Sequence, residues 1–195
     1  ELGGSSDDVF AWEELPESVA ILGAGYIAVE LAGVLHTLGV QTDLFVRRER
    51  PLRGFDSYIV ESLVQEMENT GLNLHTHKVP AKLEETEQGI TIHFEDGSTH
   101  TASQVIWATG RRPNVEGLQL EKVGVTLNER GFIQVDEYQN TVVDGIYALG
   151  DVTGEKELTP VAIKAGRTLS ERLFNGKTNA KMDYSNIPTV VFINL

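Results

Sequence analysis

The stretch Val19-Ala-Ile-Leu-Gly-Ala-Gly-Tyr-Ile-Ala28 decides the fold of this chain. It opens with a short apolar run that ends at Gly23, a pattern typical of a strand buried on both faces of a parallel sheet. From Tyr26 to Leu38 apolar residues recur at helical spacing, and Gly39 provides a stop signal. The stretch therefore predicts a strand, a tight glycine turn and a helix.

The same order of elements is repeated further along the chain. Residues 40–46 have a second strand pattern, and residues 56–70 have a second helical pattern, with Asp56 as N-cap and Gly71 as stop. Strands that alternate with helices predict an α/β fold with a parallel sheet. Between residues 72 and 103, short β-rich runs are joined by turns, which we interpret as an inserted antiparallel β-meander.

The remaining elements complete a Rossmann-like fold. Residues 104–109 are predicted to form another buried strand, residues 132–135 and 145–149 two further strands, and residues 159–174 a long helix. We expect a dinucleotide-binding domain over residues 15–139, preceded by a linker over residues 1–14.

Composition limits the function classes that this chain can serve. Of its 195 residues, 41% are hydrophobic and 23% charged, as in a folded globular protein. Sixteen Lys and Arg against 29 Asp and Glu give a net charge of -13, which disfavours diffuse binding to nucleic acid or an anionic membrane. The sequence contains no cysteine, and therefore no thiolate metal site or cysteine nucleophile.

The start of the sequence and the lack of long apolar runs each lead to one expectation. The start is acidic, lacks an initiating Met and reads as a linker, so we expect an excised segment of a longer protein. No apolar run approaches the roughly 20 residues that a membrane helix needs, so we expect a cytoplasmic protein.

The glycine turn carries the first chemical signal. Gly23, Gly25 and Ala28 occupy the small positions of the pattern G-x-G-x-x-G/A, and Tyr26 and Ile27 lie between them. The first glycine makes the tight turn, the second lets a pyrophosphate approach the backbone, and the alanine lets the helix pack closely. A helix N-terminus attracts such an anion. A turn that only packs the helix is the structural alternative, but the strand-turn-helix context favours dinucleotide binding.

An arginine cluster favours one of the two pyridine nucleotides. An NAD site has Asp or Glu at the end of the second strand, where this chain has Val46 followed by Arg47. Arg48, Arg50 and Arg53 bring the number of guanidinium groups to four within seven residues. Planar guanidinium donors match the 2′-phosphate of NADP. A solvated basic loop is the structural alternative, but the position after the second strand favours NADPH.

Three other side chains carry weaker signals. Tyr26 and Glu30 project from the same face of the first helix, near the expected nicotinamide end of the cofactor. The structural alternatives are that the tyrosine only packs at the start of the helix and that the glutamate is only solvated. Asp151 is able to accept hydrogen bonds from sugar-alcohol hydroxyls, but by itself the segment favours a helix cap or an Asx-turn. We assign no metal, since the five histidines show no ligand spacing.

Four segments together resemble the flavin-dependent pyridine nucleotide-disulfide oxidoreductases. They are residues 23–30, 108–114, 145–154 and 158–162, in the order of that family. The resemblance implies binding of NADPH and FAD, with transfer of hydride from nicotinamide to flavin. Electrons then pass to a cysteine pair and on to a disulfide substrate.

The resemblance also implies roles for individual residues. Tyr26 would cover the flavin until nicotinamide displaces it, and Glu30 would pair with a flavin-proximal lysine. Arg47 and Arg53 would bind the 2′-phosphate, and Gly110 would lie in a segment that lines the nucleotide site. Asp151 would bind the flavin ribityl chain, a role that replaces its interpretation as a cap.

Within the family, the arginine loop and residues 158–174 and 184–192 resemble the branch that reduces glutathione disulfide. The lipoamide dehydrogenase branch would have an acid after the second strand. Trypanothione reductase and large thioredoxin reductases have similar NADPH domains and stay open as alternatives. A nucleotide-binding module without any flavin partner is the alternative from another class, although Asp151 and the segment 158–162 argue against it.

Parts of the family pattern are missing from these 195 residues. They are the first flavin-binding glycine motif, the redox cysteine pair and the interface domain with its acid-base histidine. We therefore expect residues 140–195 to be a partial FAD-binding domain, and no catalytic residue to lie in this chain. By itself the chain is expected to be inactive, whereas the parent enzyme is expected to be a homodimer.

Overall fold

A four-stranded parallel sheet carries the glycine turn. The computed structural model of the chain describes residues 2–193. The strands of this sheet are β1 (Ser18–Leu22), β2 (Gln41–Phe45), β3 (Asn73–His75) and β7 (Gln104–Trp107), in the order β3, β2, β1, β7. β1 pairs in parallel with both β2 and β7, and residues 19–22 are buried. The predicted buried strand and parallel sheet are confirmed.

Two helices follow the first two strands of this sheet, as predicted. α2 (Tyr26–Thr37) begins at the N-cap Gly25, and α3 (Ser57–Thr70) begins at the N-cap Asp56. The Asp56 carboxylate accepts hydrogen bonds from the amides of Tyr58 and Ile59, at 3.0 and 3.4 Å. Gly71 ends α3 with φ 88°, a left-handed conformation that favours glycine. The cap and stop predicted for α3 are both confirmed.

A separate three-stranded antiparallel sheet forms the meander. It consists of β4 (Pro80–Thr86), β5 (Gly89–Phe94) and β6 (Thr99–Ala102), paired in that order. The meander was predicted to begin at residue 72, but β3 pairs in parallel with β2 and belongs to the other sheet. A run of three residues has too little pattern to reveal which strand it will join.

Contacts within the chain divide it after Gly110. Residues 2–110 together with 190–193 form one compact unit, and residues 111–189 form another. The division precedes the boundary predicted at Gln139, and the assignment of residues 15–139 and 140–195 to nucleotide-binding and flavin-binding domains stays a prediction. Glu1, Asn194 and Leu195, which belong to the predicted end segments, lie outside the described residues.

The predicted linker is bound to the parallel sheet. The Gly4 amide donates to the carbonyl of Val105, and the Trp107 amide donates to the carbonyl of Gly4, both at 2.8 Å. The short helix α1 (Ser6–Val9) follows, with Ser5 and Asp8 forming a capping box. Backbone pairing with β7 therefore orders a segment whose Gly and Ser content predicted a linker.

The second unit contains α4 (Leu120–Val123), a 3₁₀ helix (Gly150–Thr153) and the predicted long helix α5 (Thr159–Phe174). The strands predicted at residues 132–135 and 145–149 are wrong, since these segments form only the isolated bridges Leu127–Ile133 and Asn140–Tyr147. Left-handed backbone at Gly131 and Gly145 interrupts the extended conformation beside them. None of the helices within residues 2–193 has the length and apolar content of a membrane-spanning helix.

Candidate functional site

The first glycine of the turn is required by close packing. A Cβ at Gly23 would lie 2.3 Å from the carbonyl oxygen of Ala108 and 3.1 Å from the Cβ of Ala28. The Gly23 amide donates to the carbonyl of Phe45 at 3.0 Å, which ties the turn to the end of β2. Ala28 is fully buried. Any larger residue at position 23 would separate β1 from the segment that follows β7.

The second glycine leaves the start of α2 open. Gly25 has φ -86° and ψ 176°, and no side chain caps the helix there. Among the described residues, no atom outside its chain neighbours lies within 4 Å of the Cβ that a larger residue would add. The first N–H groups of a helix have no intrahelical partner, and the helix dipole adds a positive field. The N-terminus of α2 is therefore accessible to an anion.

The glycine turn and the arginine loop line one pocket of about 450 Å³. Its lining includes Gly23 and Gly25 and the following cationic residues: Arg47, Arg48, Arg50, Arg53 and Lys78. Within residues 2–193, no carboxylate lines this pocket, although the chain has a net charge of -13. The pocket therefore concentrates positive charge in an otherwise acidic protein, as an anion site requires.

The arginine loop (residues 46–53) is held against the glycine turn by its backbone. The Leu52 amide donates to the carbonyl of Ala24 at 2.8 Å, and the Leu52 side chain is buried in the core beneath the parallel sheet. At the start of the loop, the Val46 amide donates to the carbonyl of His75 at 2.8 Å. Both ends of the loop are thus fixed, which keeps its guanidinium groups at the mouth of the pocket.

Most guanidinium groups of the loop keep their donors available. Arg50 lies 3.9 Å from the Glu61 carboxylate and is partly buried. Arg47, Arg48 and Arg53 are exposed, and among the described residues no carboxylate lies within 4.0 Å of their guanidinium groups. These three groups are therefore able to bind a ligand anion without breaking an ion pair.

Lys78 also lines the pocket from outside the arginine loop, and no sequence pattern predicted it. Its ammonium donates to Asp96 at 2.7 Å and to the Ser98 hydroxyl at 2.8 Å. Its backbone amide donates to the carbonyl of Val46 at 3.0 Å, directly before Arg47. A single lysine between two strand patterns belongs to no sequence motif. Only the hydrogen bond between its amide and Val46 shows that it lies beside the arginine loop.

Tyr26, Ile27 and Glu30 lie on α2 and do not line the arginine pocket. All three are partly buried. The Glu30 carboxylate accepts a hydrogen bond of 2.9 Å from the backbone amide of Phe192. The described residues place no ammonium group within 4.0 Å of it, so the lysine partner that the resemblance implies stays a prediction.

Gly110 and Asp151 lie in different compact units. Gly110 directly follows Thr109, which lines the pocket, but does not line it itself. The Asp151 carboxylate is 55% exposed and lies 3.5 Å from the Arg111 guanidinium, which also pairs with Glu157. The N-cap of the 3₁₀ helix is Leu149, so Asp151 does not cap it. The exposed carboxylate is available to accept hydrogen bonds from a ligand.

Comparison with known proteins gives consistent matches over almost the whole chain. The family model described as pyridine nucleotide-disulphide oxidoreductase matches residues 5–166. A glutathione reductase from Schizosaccharomyces pombe is 47% identical over 194 residues, which cover 98% of this chain and 42% of that protein. The chain therefore spans less than half the length of this curated relative.

Solved structures agree with these matches. The copper(II) complex of the HOCl-induced flavoprotein disulfide reductase RclA from Escherichia coli has a TM-score of 0.89 at 27% identity, over 95% of this chain and 43% of that one. LpdA from Mycobacterium tuberculosis has a TM-score of 0.86 at 26% identity, over 95% of this chain and 40% of that one.

Proposed function

Because this chain belongs to the pyridine nucleotide-disulphide oxidoreductase family, we propose that it is the NADPH-binding part of an enzyme that reduces glutathione disulfide. The observation that carries the proposal is the single pocket shared by the glycine turn and the arginine loop. Glutathione disulfide is proposed over trypanothione or thioredoxin because of the 47% identity to a glutathione reductase.

The residues of the pocket fit a dinucleotide with a 2′-phosphate. The open backbone at Gly25 and the first N–H groups of α2 would hold the pyrophosphate, since a helix N-terminus binds anions. Arg47 and Arg53 would hold the 2′-phosphate at the end of β2, where an NAD site has an acid. Gly23 and Ala28 would bring strand and helix close enough to form the turn, and Gly110 would lie at the edge of the nucleotide site.

Electrostatics supports NADPH over NADH. A hydrogen bond to a charged group contributes about 1.5–3 kcal/mol, so two arginines give roughly 3–6 kcal/mol of preference before screening. Both guanidinium groups are exposed, and the Debye length at physiological salt is only about 8 Å. We therefore expect about one to three decades of discrimination between the two nucleotides.

The flavin side of the proposal rests on the roles that the family implies for Tyr26, Glu30 and Asp151. When bound, NADPH supplies the hydride that reduces the flavin. Tyr26 would cover the flavin before nicotinamide arrives, and Glu30 would orient a flavin-proximal lysine. Asp151, whose carboxylate is exposed, would accept hydrogen bonds from the ribityl hydroxyls of FAD. The cysteine pair is proposed to lie outside these 195 residues, which contain no cysteine, in a homodimeric cytoplasmic parent enzyme.

Titration calorimetry of the chain with NADPH and NADH tests the proposal. The unmodified chain should bind NADPH more tightly, and the double variant Arg47→Ala/Arg53→Ala should lose most of this preference while its NADH affinity stays nearly unchanged. Arg130→Ala is the matched control, because Arg130 lies over the Phe132 ring and does not line the pocket. Equal affinities of the unmodified chain for the two nucleotides would overturn the proposal.

A further inference from the structure

We infer that Lys78 is a further specificity residue for the adenosine 2′-phosphate, and that Asp96 limits its contribution. The inference rests on the proposed function, because it assigns a second source of positive charge to the same pocket. Lys78 belongs to the segment between β3 and β4, so this charge comes from outside the arginine loop.

The backbone places Lys78 beside the start of the arginine loop. Its amide donates to the carbonyl of Val46 at 3.0 Å, and the amide of His77 donates to the carbonyl of Arg48 at 3.2 Å. In dinucleotide-binding folds, the adenosine ribose lies at the end of the second strand, whereas the pyrophosphate lies at the glycine turn. Val46 directly follows β2. The position of Lys78 therefore corresponds to the ribose and its 2′ substituent.

The ammonium group of Lys78 is held in place before any ligand binds. Asp96 and Ser98 accept its hydrogen bonds at 2.7 and 2.8 Å, and the group lies 5.5 Å from the centroid of the Phe94 ring. Its side chain is only 24% exposed. A charge that is already positioned loses less side-chain freedom on binding than a mobile surface lysine would.

The hydrogen-bonding capacity of Lys78 is only partly used. A lysine ammonium has three N–H donors. Within the described residues, two of them are used by the Asp96 carboxylate and the Ser98 hydroxyl. One donor is therefore left for a phosphate oxygen. The Lys78 ammonium is thus able to bind the phosphate in addition to the planar guanidinium groups of the arginines.

Asp96 opposes the attraction of an anion to Lys78. Hydrogen bonds from the Lys78 ammonium and from Ser98 hold the pKa of the Asp96 carboxyl well below its usual range, so it is ionised at neutral pH. A phosphate next to Lys78 would lie near this negative charge. Asp96 therefore reduces the net field of Lys78 at the phosphate, whereas the Ser98 hydroxyl also holds the ammonium group in place.

Binding of adenosine 2′,5′-bisphosphate and of adenosine 5′-monophosphate to the full chain tests this inference. These probes differ only in the 2′-phosphate and have no nicotinamide, so they report on the adenosine end alone. Lys78→Met should weaken binding of the bisphosphate by roughly three- to tenfold and change binding of the monophosphate by less than about twofold. Asp96→Asn should strengthen binding of the bisphosphate by roughly two- to fivefold at low salt, and less at high salt.

Two further variants keep the test decisive. Lys82→Met is the matched control, because Lys82 lies on β4, pairs with Glu84 at 2.7 Å and does not line the pocket. Lys78→Gln keeps a polar side chain and should behave as Lys78→Met does if charge is the cause. In Asp96→Asn the side-chain oxygen still accepts from the Ser98 amide, a bond of 2.9 Å, so the turn is retained.

The outcomes separate this inference from the proposed function. If the unmodified chain binds both probes equally, the proposed function fails. If Arg47→Ala/Arg53→Ala abolishes the preference for the bisphosphate but both Lys78 variants leave it within about twofold, only the role of Lys78 is overturned. Weaker binding of the bisphosphate by Asp96→Asn would overturn the role of Asp96.

Discussion

The backbone amide of Leu52 donates a hydrogen bond of 2.8 Å to the carbonyl oxygen of Ala24. Ala24 lies between the two glycines of the turn, and Leu52 lies inside the arginine loop, so this bond joins the two parts of the pocket. Leu52 has φ 51°, a left-handed conformation that is disfavoured for a branched side chain, yet its side chain is 5% exposed. Core packing therefore holds the loop in a conformation that its local sequence does not favour.

Leu52→Pro is expected to remove the proposed preference for NADPH. Proline has no backbone N–H and cannot adopt φ 51°, so the bond to Ala24 is lost and the loop can move away from the turn. Leu52→Ala is the control, because it keeps the amide donor but should cost about 2–5 kcal/mol of stability through lost packing. The affinities of both variants for NADPH and NADH are measured by calorimetry, at a temperature where each variant is folded. Full preference in the proline variant would contradict the role of this bond.

The two glycines of the turn should respond differently to the same substitution. Gly23→Ala puts a methyl group 2.3 Å from the Ala108 oxygen, so we expect a loss of about 1–3 kcal/mol or more in the free energy of unfolding. Gly25→Ala meets open space and should change stability by less than about 1 kcal/mol. Nucleotide binding should nevertheless weaken in Gly25→Ala, since the methyl group occupies the approach of the pyrophosphate.

Denaturant unfolding and nucleotide titration of both glycine variants check this prediction. Equal destabilisation by the two substitutions would contradict the packing argument. Unchanged NADPH affinity in Gly25→Ala would show that no phosphate approaches the backbone at that position.

A buried carboxylate between two histidines makes stability depend on pH. Asp43 on β2 is 4% exposed; its carboxylate lies 2.6 Å from His75 Nε2 and 3.6 Å from His100 Nε2. Burial lowers the pKa of His100 and His75 adds to this effect, while the charge of Asp43 opposes it. In the part of the chain that the structure describes, no group of three or more such side chains is arranged to hold a metal ion.

The direction of the pH effect follows from the lowered pKa of His100. The folded state favours neutral His100, so the contribution is fully present above the unfolded pKa of about 6.5 and is lost as the pH falls below it. His100→Gln should therefore lose less stability than the unmodified chain between about pH 7.5 and about pH 5. Denaturant unfolding at both pH values measures the difference. His93→Gln is the control, since His93 pairs with Glu84 instead; an identical pH dependence of His100→Gln and the unmodified chain would contradict the prediction.

The 195-residue chain is expected to show no NADPH-dependent reduction of glutathione disulfide. Thiol–disulfide exchange needs a thiolate, and this sequence contains no cysteine. Oxidation of NADPH, followed with purified chain, added FAD and glutathione disulfide, measures the activity against a blank without protein. Turnover above that blank would contradict the expectation.

Local pattern was sufficient to predict the elements that carry the turn and the loop. Residues 19–28 predict a buried strand, a turn and a helix, because burial and helical periodicity depend on the pattern of apolar side chains in neighbouring residues. Asp56 and Gly71 predict the bounds of α3 for the same reason, since a cap acts on the first or last turn of its own helix. The sequence by itself also determined that guanidinium groups follow β2 directly, at the position where an NAD site has an acid.

Only the tertiary structure decided which distant residues share the pocket. Pairing of β3 with β2, and the bonds from Lys78 to Val46 and to Asp96, join segments that have no common pattern in the chain. Outside the pocket, the contact of Glu30 with the Phe192 amide likewise joins residues that lie 162 positions apart. Such contacts depend on how strands pair and cores pack across the whole molecule, and a periodicity read over neighbouring residues contains no information about them.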